Sequence, residues 1–483
     1  MKRIILTLGM GLFCTLAATS QNEVDAMRYS QLTFGGTARF ASMAGSMGAL
    51  GGDISTLSFN PAGIAIFKKT ELSITPSVFS QTTTSTYNGE TSDDRKLNFN
   101  LGNIGLVASF NLISDKNTSG WENVNFGFGY NRTNNFNNRI RVEADNKNSS
   151  LMDVFVADAD GHSSAEFDQF STGLAWGTYL INPVDTNGTL QYNHVAPNYG
   201  IHQVKEIETR GSMGETVISF GGNYKSKLYL GATLGIANAK YYEDSKFTES
   251  DPKDTISNFN SYTYFNELTT KGTGVNLKIG AIVRPTDWLR IGASFHSPTS
   301  FGMHDQYSSE IKSDLENWGS YDSISPQGDF DYRVITPFRT SGSLGFIINK
   351  IALLNVEYEY VDYSYAQLRA PHSVFSDVNS SIRKNYTSTG NLRAGAEVRF
   401  DPIAIRAGYA LYGSPFLSGE NVNAARSSYT AGIGYRQDHY FVDFAYVLTK
   451  YSEYSYLYSH KNATPVKNDF RSSSFMLTAG VRF

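Results

Sequence analysis

From about residue 70 to the end of the chain, apolar and polar positions alternate with period two, which predicts strand after strand. Val275, Leu277, Ile279, Ala281 and Val283 share one parity, while Asn276, Lys278, Gly280 and Arg284 take the other, broken only by Ile282. Leu392, Ala394, Ala396, Val398 and Phe400 alternate with Arg393, Gly395, Glu397 and Arg399, and Tyr440, Val442, Phe444, Tyr446 and Leu448 form a similar face. The last strand sets Phe475, Leu477, Ala479, Val481 and the terminal Phe483 against Met476, Thr478, Gly480 and Arg482. In a sandwich such an apolar face meets a second sheet. In a large membrane barrel it meets lipid, and the polar face lines a lumen.

Connection lengths separate the two architectures. Fourteen strands are predicted, beginning near residues 70, 97, 122, 213, 226, 261, 287, 331, 351, 387, 402, 426, 439 and 471. Turns after even-numbered strands are tight, around Lys225-Ser226, Pro285-Thr286, Asn349-Lys350, Asp401-Pro402 and Gln437-Asp438, with Ser114–Gly120 a longer exception. Connections after odd-numbered strands are long and polar, roughly 81–96, 142–212, 245–260, 306–330, 366–386, 412–425 and 452–470. Short periplasmic turns and long extracellular loops give this rhythm, and the even count suits a single-chain bacterial barrel. The expected fold is all-β, a 14-stranded antiparallel transmembrane barrel over residues 70–483.

Three segments break the alternation. Residues 21–69 hold no alternating strand, yet Phe34, Phe40, Met43, Met47, Leu50, Leu57, Phe59, Ile64 and Phe67 need burial. The barrel interior is the available place, so this stretch is read as an N-terminal hatch, or plug. In the loop 142–212, Ser163 and Glu166 have capping-box spacing ahead of Phe167, Phe170, Leu174 and Tyr179, which predicts a short amphipathic helix over the extracellular mouth. In the second strand, Leu97, Phe99 and Leu101 occupy one parity and Ile104, Leu106, Ala108 and Phe110 the other. The switch at Gly102-Asn103 is what a bulge produces, either as plain structure or as a wall defect through which a greasy ligand leaves sideways.

Composition fits a barrel. Aromatics reach 13% and glycines 43, charged residues are only 18%, and mean hydropathy is −0.31, the polar average of a chain that hides its hydrophobicity in alternation. No stretch supplies the roughly 18 uninterrupted apolar residues of a transmembrane helix. Lys2 and Arg3, an apolar run from Ile4 to Ala18, and the small Ala18-Thr19-Ser20 predict a signal peptide over 1–20, with export to the outer membrane. The single cysteine, Cys14, lies inside it, so the mature chain would have no disulfide or thiolate chemistry. A net charge of −4 argues against nucleic acid. No Gly-x-Ser-x-Gly elbow or phosphate loop occurs, and the eight histidines lack metal-ligand spacing, so no catalytic residue, metal or cofactor is expected. Glu357, Glu359, Arg393, Glu397, Arg399, Arg406, Arg436 and Arg482 fall on the lumen parity, where they would filter ions or pair across a filled lumen and hold the plug.

Gly45-Ser46-Met47-Gly48-Ala49-Leu50-Gly51-Gly52-Asp53 followed by Asn60-Pro61-Ala62-Gly63 resembles the hatch of the FadL/TodX family of outer-membrane transporters. Asp25-Ala26-Met27-Arg28-Tyr29-Ser30 with Gly36-Thr37-Ala38-Arg39 looks like its Bacteroidetes branch. Gly274–Leu277 through Arg284-Pro285-Thr286 to Gly292–Pro298 is similar to the paired middle strands. The resemblance implies passive uptake of hydrophobic molecules such as long-chain fatty acids, gated by hatch movement at Asn60, Pro61, Ala62 and Gly63, with exit through the wall. Phe34, Phe40, Met43, Met47, Leu50 and Phe59 would be the apolar hatch contacts to the ligand, each buried CH₂ contributing about 0.8 kcal/mol. Expected partners are that hydrophobic molecule, the surrounding outer-membrane lipid and lipopolysaccharide, and the barrel-assembly machinery, with the protein a monomer. The family also contains non-transport barrels acting in type IX-like protein secretion or lipoprotein shuttling, and relatives described as haemin receptors. Uptake calls for an apolar cavity between hatch and wall, whereas a lumen packed solid would fit the secretion reading.

Overall fold

In the computed structural model, the described residues are 22–112, 119–184, 190–197, 200–349, 351–371 and 375–483. The predicted signal peptide, most of the Ser114–Gly120 turn, Lys350 and His372 lie outside them. Antiparallel pairing runs in chain order through fourteen barrel strands and closes on itself. These are β1 (Glu71–Tyr87), β2 (Glu90–Asn111), β3 (Trp121–Asn135, continued by Asn138–Asn146), β4 (Ile201–Tyr224), β5 (Leu228–Ser250), β6 (Ser261–Val283) and β7 (Leu289–His296, continued by Ser300–Leu315). Then follow β8 (Gly319–Ile324, Gly328–Ile335 and Arg339–Ile348), β9 (Ala352–Asp362, with Gln367–Arg369), β10 (Ser388–Phe400), β11 (Ile403–Tyr412), β12 (Arg426–Arg436), β13 (Tyr440–Ser455) and β14 (Val466–Arg482). Glu71 pairs with Arg482 and Thr86 with Lys467, so β1 and β14 leave no free edge.

The alternation explains this closure. Leu230, Leu234, Val275, Leu277, Ile279, Ile291, Val442, Phe444, Phe475 and Leu477 all stand on the outer wall with their side chains exposed. An exposed apolar band of this extent is stable only against lipid. Trp288 stacks on Phe346 and Tyr435 lies against Tyr440 at the tight-turn end, an aromatic girdle at the membrane boundary.

Inside the ring sits the N-terminal segment: helix α1 (Glu23–Ser30), short helix α2 (Ala38–Ser42), and 3₁₀ turns over Ile54–Ser58 and Pro61–Ile66. Ala38, Phe40, Met43, Met47, Leu57, Ala62 and Ile64 are fully buried there. An extracellular cap closes the other end. It contains helices α3 (Leu151–Ala159) and α4 (Thr172–Gly177) and a two-stranded ribbon of Ile181–Val184 with Gln191–His194. The helix expected after the Ser163–Glu166 box is split: the box caps a single 3₁₀ turn, Ser164–Glu166, and the α-helix follows only at Thr172–Gly177, carrying Leu174. The longer helix, α3, starts earlier at its own capping box, Ser150 with Asp153. Helix α5 (Ser376–Asn385), in the long connection 366–386, has no counterpart in the sequence pattern.

Candidate functional site

The hatch meets the wall at three places where the wall has been modified to receive it. The first is a row of glycines. Gly221 pairs with Gly231, and Gly231 with Gly280, so three adjacent strands present no side chain to the lumen at one level. Asn60-Pro61-Ala62 occupies that space. A Cβ on Gly231 would fall 2.2 Å from the Pro61 carbonyl oxygen, and one on Gly280 1.9 Å from Asn60 Oδ1. Asn60 caps the 3₁₀ turn: its Oδ1 accepts from the Ala62 N–H (3.1 Å) and its Nδ2 donates to the Gly48 carbonyl (2.7 Å). Pro61 tolerates the first position of such a turn because its missing N–H would have no partner there. Gly63 lets the turn lie against Gly51, whose Cβ would meet the Gly63 Cα at 2.7 Å. On the lipid side of the same row lies a groove of about 890 Å³ between Phe220, Leu230, Ile279 and Phe295, so the wall there is one backbone thick.

The second place is a slot. Strands β2 and β3 pair only from Asn103↔Asn131 to Asn111↔Asn123. Above that level β2 pairs with β1 alone, and β3 pairs with β4. At the branch point, the β1–β2 register slips by one residue between Thr75 and Pro76, opposite Gly102. The slip turns Leu97 (63% exposed) and Phe99 (74%) outward together with Ile104 and Leu106. The hatch fills the slot from inside. Both the N–H and Oγ1 of Thr33 donate to the Thr133 carbonyl (2.9 and 3.0 Å), and Asn134 Nδ2 donates to the Gln31 carbonyl (3.1 Å). Gly35 is pressed so closely on this edge that a Cβ would lie 2.1 Å from the Arg132 carbonyl oxygen. Hatch backbone thus supplies bonds that β2 withholds from β3.

The third is a break between β7 and β8. His296 pairs with Arg339 and Ser300 with Ile335, but between them Pro298 faces Pro337. Neither proline can donate, so the ladder lapses. Thr336 bridges it, donating its N–H to the Thr299 carbonyl (3.0 Å) and accepting the Thr299 N–H on Oγ1 (2.9 Å). Sequence reading passed over this defect, although Pro298 and Pro337 each signal an interrupted strand.

Charged contacts hold the plug. Arg39 of α2 donates through Nε to Glu397 (2.9 Å), which also receives Arg406 (2.5 Å) and Arg399 (2.7 Å). Arg406 and Arg436 converge on Asp443 at 2.7 and 2.5 Å. One level up, Arg393 bridges Glu357 (2.7 Å) and Glu359 (3.4 Å), Glu357 accepts the Gly48 N–H (2.8 Å), and Arg339 joins Glu359 (2.9 Å) to the Ser30 carbonyl. Lys278 pairs with Glu215, and Arg482 with Glu71 (2.8 Å). The lumen charges are therefore pairing groups, and Glu397 through Arg39, Glu357 through the Gly48 N–H and Arg339 through the Ser30 carbonyl tie the hatch into them.

Two cavities flank the hatch. One of about 160 Å³ is lined by Leu32, Phe34, Phe79, Tyr412, Val447 and Tyr451, with Gln81, Asn134, Asn391 and Arg426. The other, about 40 Å³, reaches from Phe59 to Pro337 past Glu215, Lys278 and His296. Of the six apolar hatch residues singled out for ligand contact, Phe34 and Phe59 border these cavities and Leu50 borders a periplasmic vestibule of about 1340 Å³. Phe40, Met43 and Met47 are sealed in packing, Phe40 against Phe59 at 4.7 Å between ring centres and Met43 against the wall glycines Gly395 and Gly408. Among the described residues no three His, Cys, Asp or Glu side chains form a metal cluster; His202 lies between Asp145 (2.9 Å) and Glu143 (3.3 Å), and His296 bonds the Phe59 carbonyl (2.6 Å).

In the extracellular cap, Glu249 anchors α3. It accepts from Ser150 Oγ, the Leu151 N–H (3.1 Å), Gln203 Nε2 (2.6 Å) and Tyr262 Oη (2.8 Å). Burial pushes its carboxyl pKa up, against these four donors. Glu249→Ala strands four buried donors at about 1–3 kcal/mol each. Amide exchange across Leu151–Ala159 is expected to accelerate by at least about tenfold, while Glu249→Gln, which keeps one acceptor oxygen for the Leu151 N–H and Gln203 and turns its NH₂ to the Ser150 and Tyr262 hydroxyls, which can accept, stays closer to the parent. Unchanged exchange in the alanine variant would remove Glu249 as the anchor.

Residues 163–483 match the family model described as outer membrane protein transport protein (OMPP1/FadL/TodX). Among solved structures, the chain is similar to a FadL homologue of Pseudomonas aeruginosa, at 14% identity and a TM-score of 0.59, over 94% of this chain and 99% of that one. It is also similar to the Pseudomonas putida toluene transporter TodX (11%, TM-score 0.54, 93% and 99% covered) and the Ralstonia pickettii toluene transporter TbuX (13%, 0.53, 93% and 98%). At such identities the likeness establishes a shared fold. No curated protein matches the chain in sequence.

Proposed function

Since the chain belongs to the outer membrane protein transport protein family (OMPP1/FadL/TodX), we propose that it is a channel for passive uptake of hydrophobic molecules such as long-chain fatty acids, gated by its hatch. The observation that carries this reading is the slot above Gly102-Asn103, a gap in the wall between β2 and β3 closed by hatch residues 31–36 rather than by strand pairing. A molecule entering beside Phe34 lies next to that slot, so withdrawing Gln31–Gly36 would connect the 160 Å³ cavity to lipid. Lateral release would spare an apolar solute the crossing of water, at about 25 cal/mol per Å² of apolar surface kept dry. The aromatic-sized space around Phe34 also supports small aromatic cargo: a cavity of about 150 Å³ is known to hold benzene when its lining is apolar. This cavity differs in its amides and Arg426, which would orient a polar head.

A second reading, a barrel serving protein secretion or lipoprotein shuttling, is favoured by the smallness of the cavities beside the hatch compared with an extended acyl chain. Uptake decides between the two. A deletion strain complemented with this chain should accumulate oleate or toluene faster than one carrying the empty vector. Equal accumulation, with the barrel inserted, sinks the transport reading. Asn60→Ala combined with Pro61→Ala should leave insertion intact, because strands drive it, and lower uptake severalfold. Failure of insertion instead would make the motif purely structural.

A further inference from the structure

Three pairs of cations stand directly opposite one another on the outer wall: Lys240 and Lys271, Arg333 and Arg369, Lys450 and Arg471. All six side chains are exposed, and none has an ion-pair partner among the described residues. Side chains in such register lie about 4.5–5.5 Å apart at Cβ, and like charges there repel. The rest of the outer surface does not follow this pattern. Lys96, Arg139, Arg141, Arg210 and Lys253, higher on the extracellular extensions, each hold a carboxylate. On β5, β6, β13 and β14 the opposed cations are the first charged outward positions above the apolar band. Lys240 follows Ile236 on the same parity, Lys271 lies beyond Val275, Lys450 beyond Leu448 and Arg471 beyond Phe475. Along the registers the row Lys240, Lys271, His304 ends at Asp331 on β8, and Arg333 stands two residues from Asp331, opposite Arg369. The groups facing them are few: His304 is opposite Lys271 and binds Asp331 at 2.9 Å.

An apolar band about 25 Å tall fixes this level as the headgroup region of the outer leaflet. Uncompensated repulsion at three separate places, at the depth where anionic headgroups sit, is an arrangement completed by ligands of opposite charge. We propose that the three pairs are phosphate-binding sites for phosphorylated lipid of the outer leaflet, the lipid A moiety of lipopolysaccharide. Each pair would share one phosphate, whose oxygens can accept from both side chains at once, and the Arg333–Arg369 pair offers two planar forks for it. This assignment concerns the lipid around the barrel and is independent of the cargo.

The test uses the purified full chain in zwitterionic phosphatidylcholine nanodiscs, with phosphorylated or phosphate-free lipid A added, retention being read by native mass spectrometry and stability by the temperature at which the barrel unfolds. Phosphorylated lipid A should bind and raise that temperature; phosphate-free lipid A should not. Lys271→Gln and the pair Arg333→Gln with Arg369→Gln should weaken retention by about fivefold per charge removed. Lys240→Glu separates the proposal from a general loss of fold, because it pairs with Lys271: the unfolding temperature should rise in pure phosphatidylcholine while lipid A retention falls. Equal retention of the two lipid A forms, or by parent and Lys240→Glu, overturns the proposal. Equal binding of phosphatidylglycerol overturns the choice of lipid A. Release by millimolar inorganic phosphate supports the phosphate chemistry, and indifference to it counts against it.

Discussion

Glu397→Ala is expected to loosen the hatch from the barrel at a cost of about 3–5 kcal/mol, the range for removing one partner of a buried ion pair. Glu397 is the only carboxylate in direct ion-pair contact with Arg39 among the described residues, and it also receives Arg399 and Arg406. Arg406 retains Asp443 in the variant, and Arg399 is 44% exposed at its side chain and can turn to water. Arg39 has no second carboxylate: it is almost wholly buried at the edge of the periplasmic vestibule, and its remaining bond is to the Gly52 carbonyl (3.0 Å). The penalty therefore falls on the hatch. Trypsin should cut after Arg39 in the variant and spare it in the parent, while the barrel still migrates as a folded species in unheated gels. Arg39→Gln is the milder change, because Glu397 keeps two arginines. If Glu397→Ala lowers barrel stability without exposing Arg39, the network supports strand pairing and the hatch is held elsewhere.

Barrel architecture is legible in this chain because its cause is local. Leu277 and Lys278 differ in parity, and parity alone sends one to lipid and the other to Glu215. Loop rhythm is equally local, so strand number and orientation follow from it. The hatch was visible as apolar sequence lacking alternation and as the Gly45–Asp53 and Asn60–Gly63 motifs, but its fit to the wall was not visible at all. Gly280 reads in sequence as one more polar-parity position within a strand; that it and Gly231 jointly receive Asn60-Pro61 depends on pairing between residues far apart in the chain. The Leu151–Ala159 helix was hidden because Val154, Phe155 and Val156 suit a strand by propensity, and tertiary burial under the cap decides for helix. Cavity size was illegible for a stronger reason: it is the small remainder after hatch and wall volumes are subtracted. An apolar list such as Phe34, Phe40, Met43 and Met47 cannot say which members face that remainder.

Gly231→Leu should have the largest effect on hatch position of any single substitution in the wall. At Gly280 the nearest obstacle to a new side chain is the amide oxygen of Asn60, which can rotate away at the loss of its bonds with the Ala62 N–H and the Gly48 carbonyl. At Gly231 the obstacle is backbone: the Pro61 carbonyl oxygen and carbon at 2.2 and 2.4 Å from an added Cβ, and the Ala62 nitrogen at 2.7 Å. Backbone in a 3₁₀ turn pinned by Asn60 cannot step aside atom by atom, so the turn must leave as a unit. Overpacking of this kind costs about 1–3 kcal/mol where a core can adjust, and more where it cannot. The expected result is a barrel that inserts normally, conducts ions in planar bilayers where the parent is closed, and sensitises cells to large antibiotics. Gly231→Ala should show the same phenotype more weakly, and Gly280→Ala more weakly still. Gly342→Leu is the matched control, since a Cβ there meets nothing within 4 Å. Conductance from Gly342→Leu as well would trace the leak to β-strand damage, and a silent Gly231→Leu would mean that the Asn60-Pro61-Ala62 turn does not depend on the glycine row for its place.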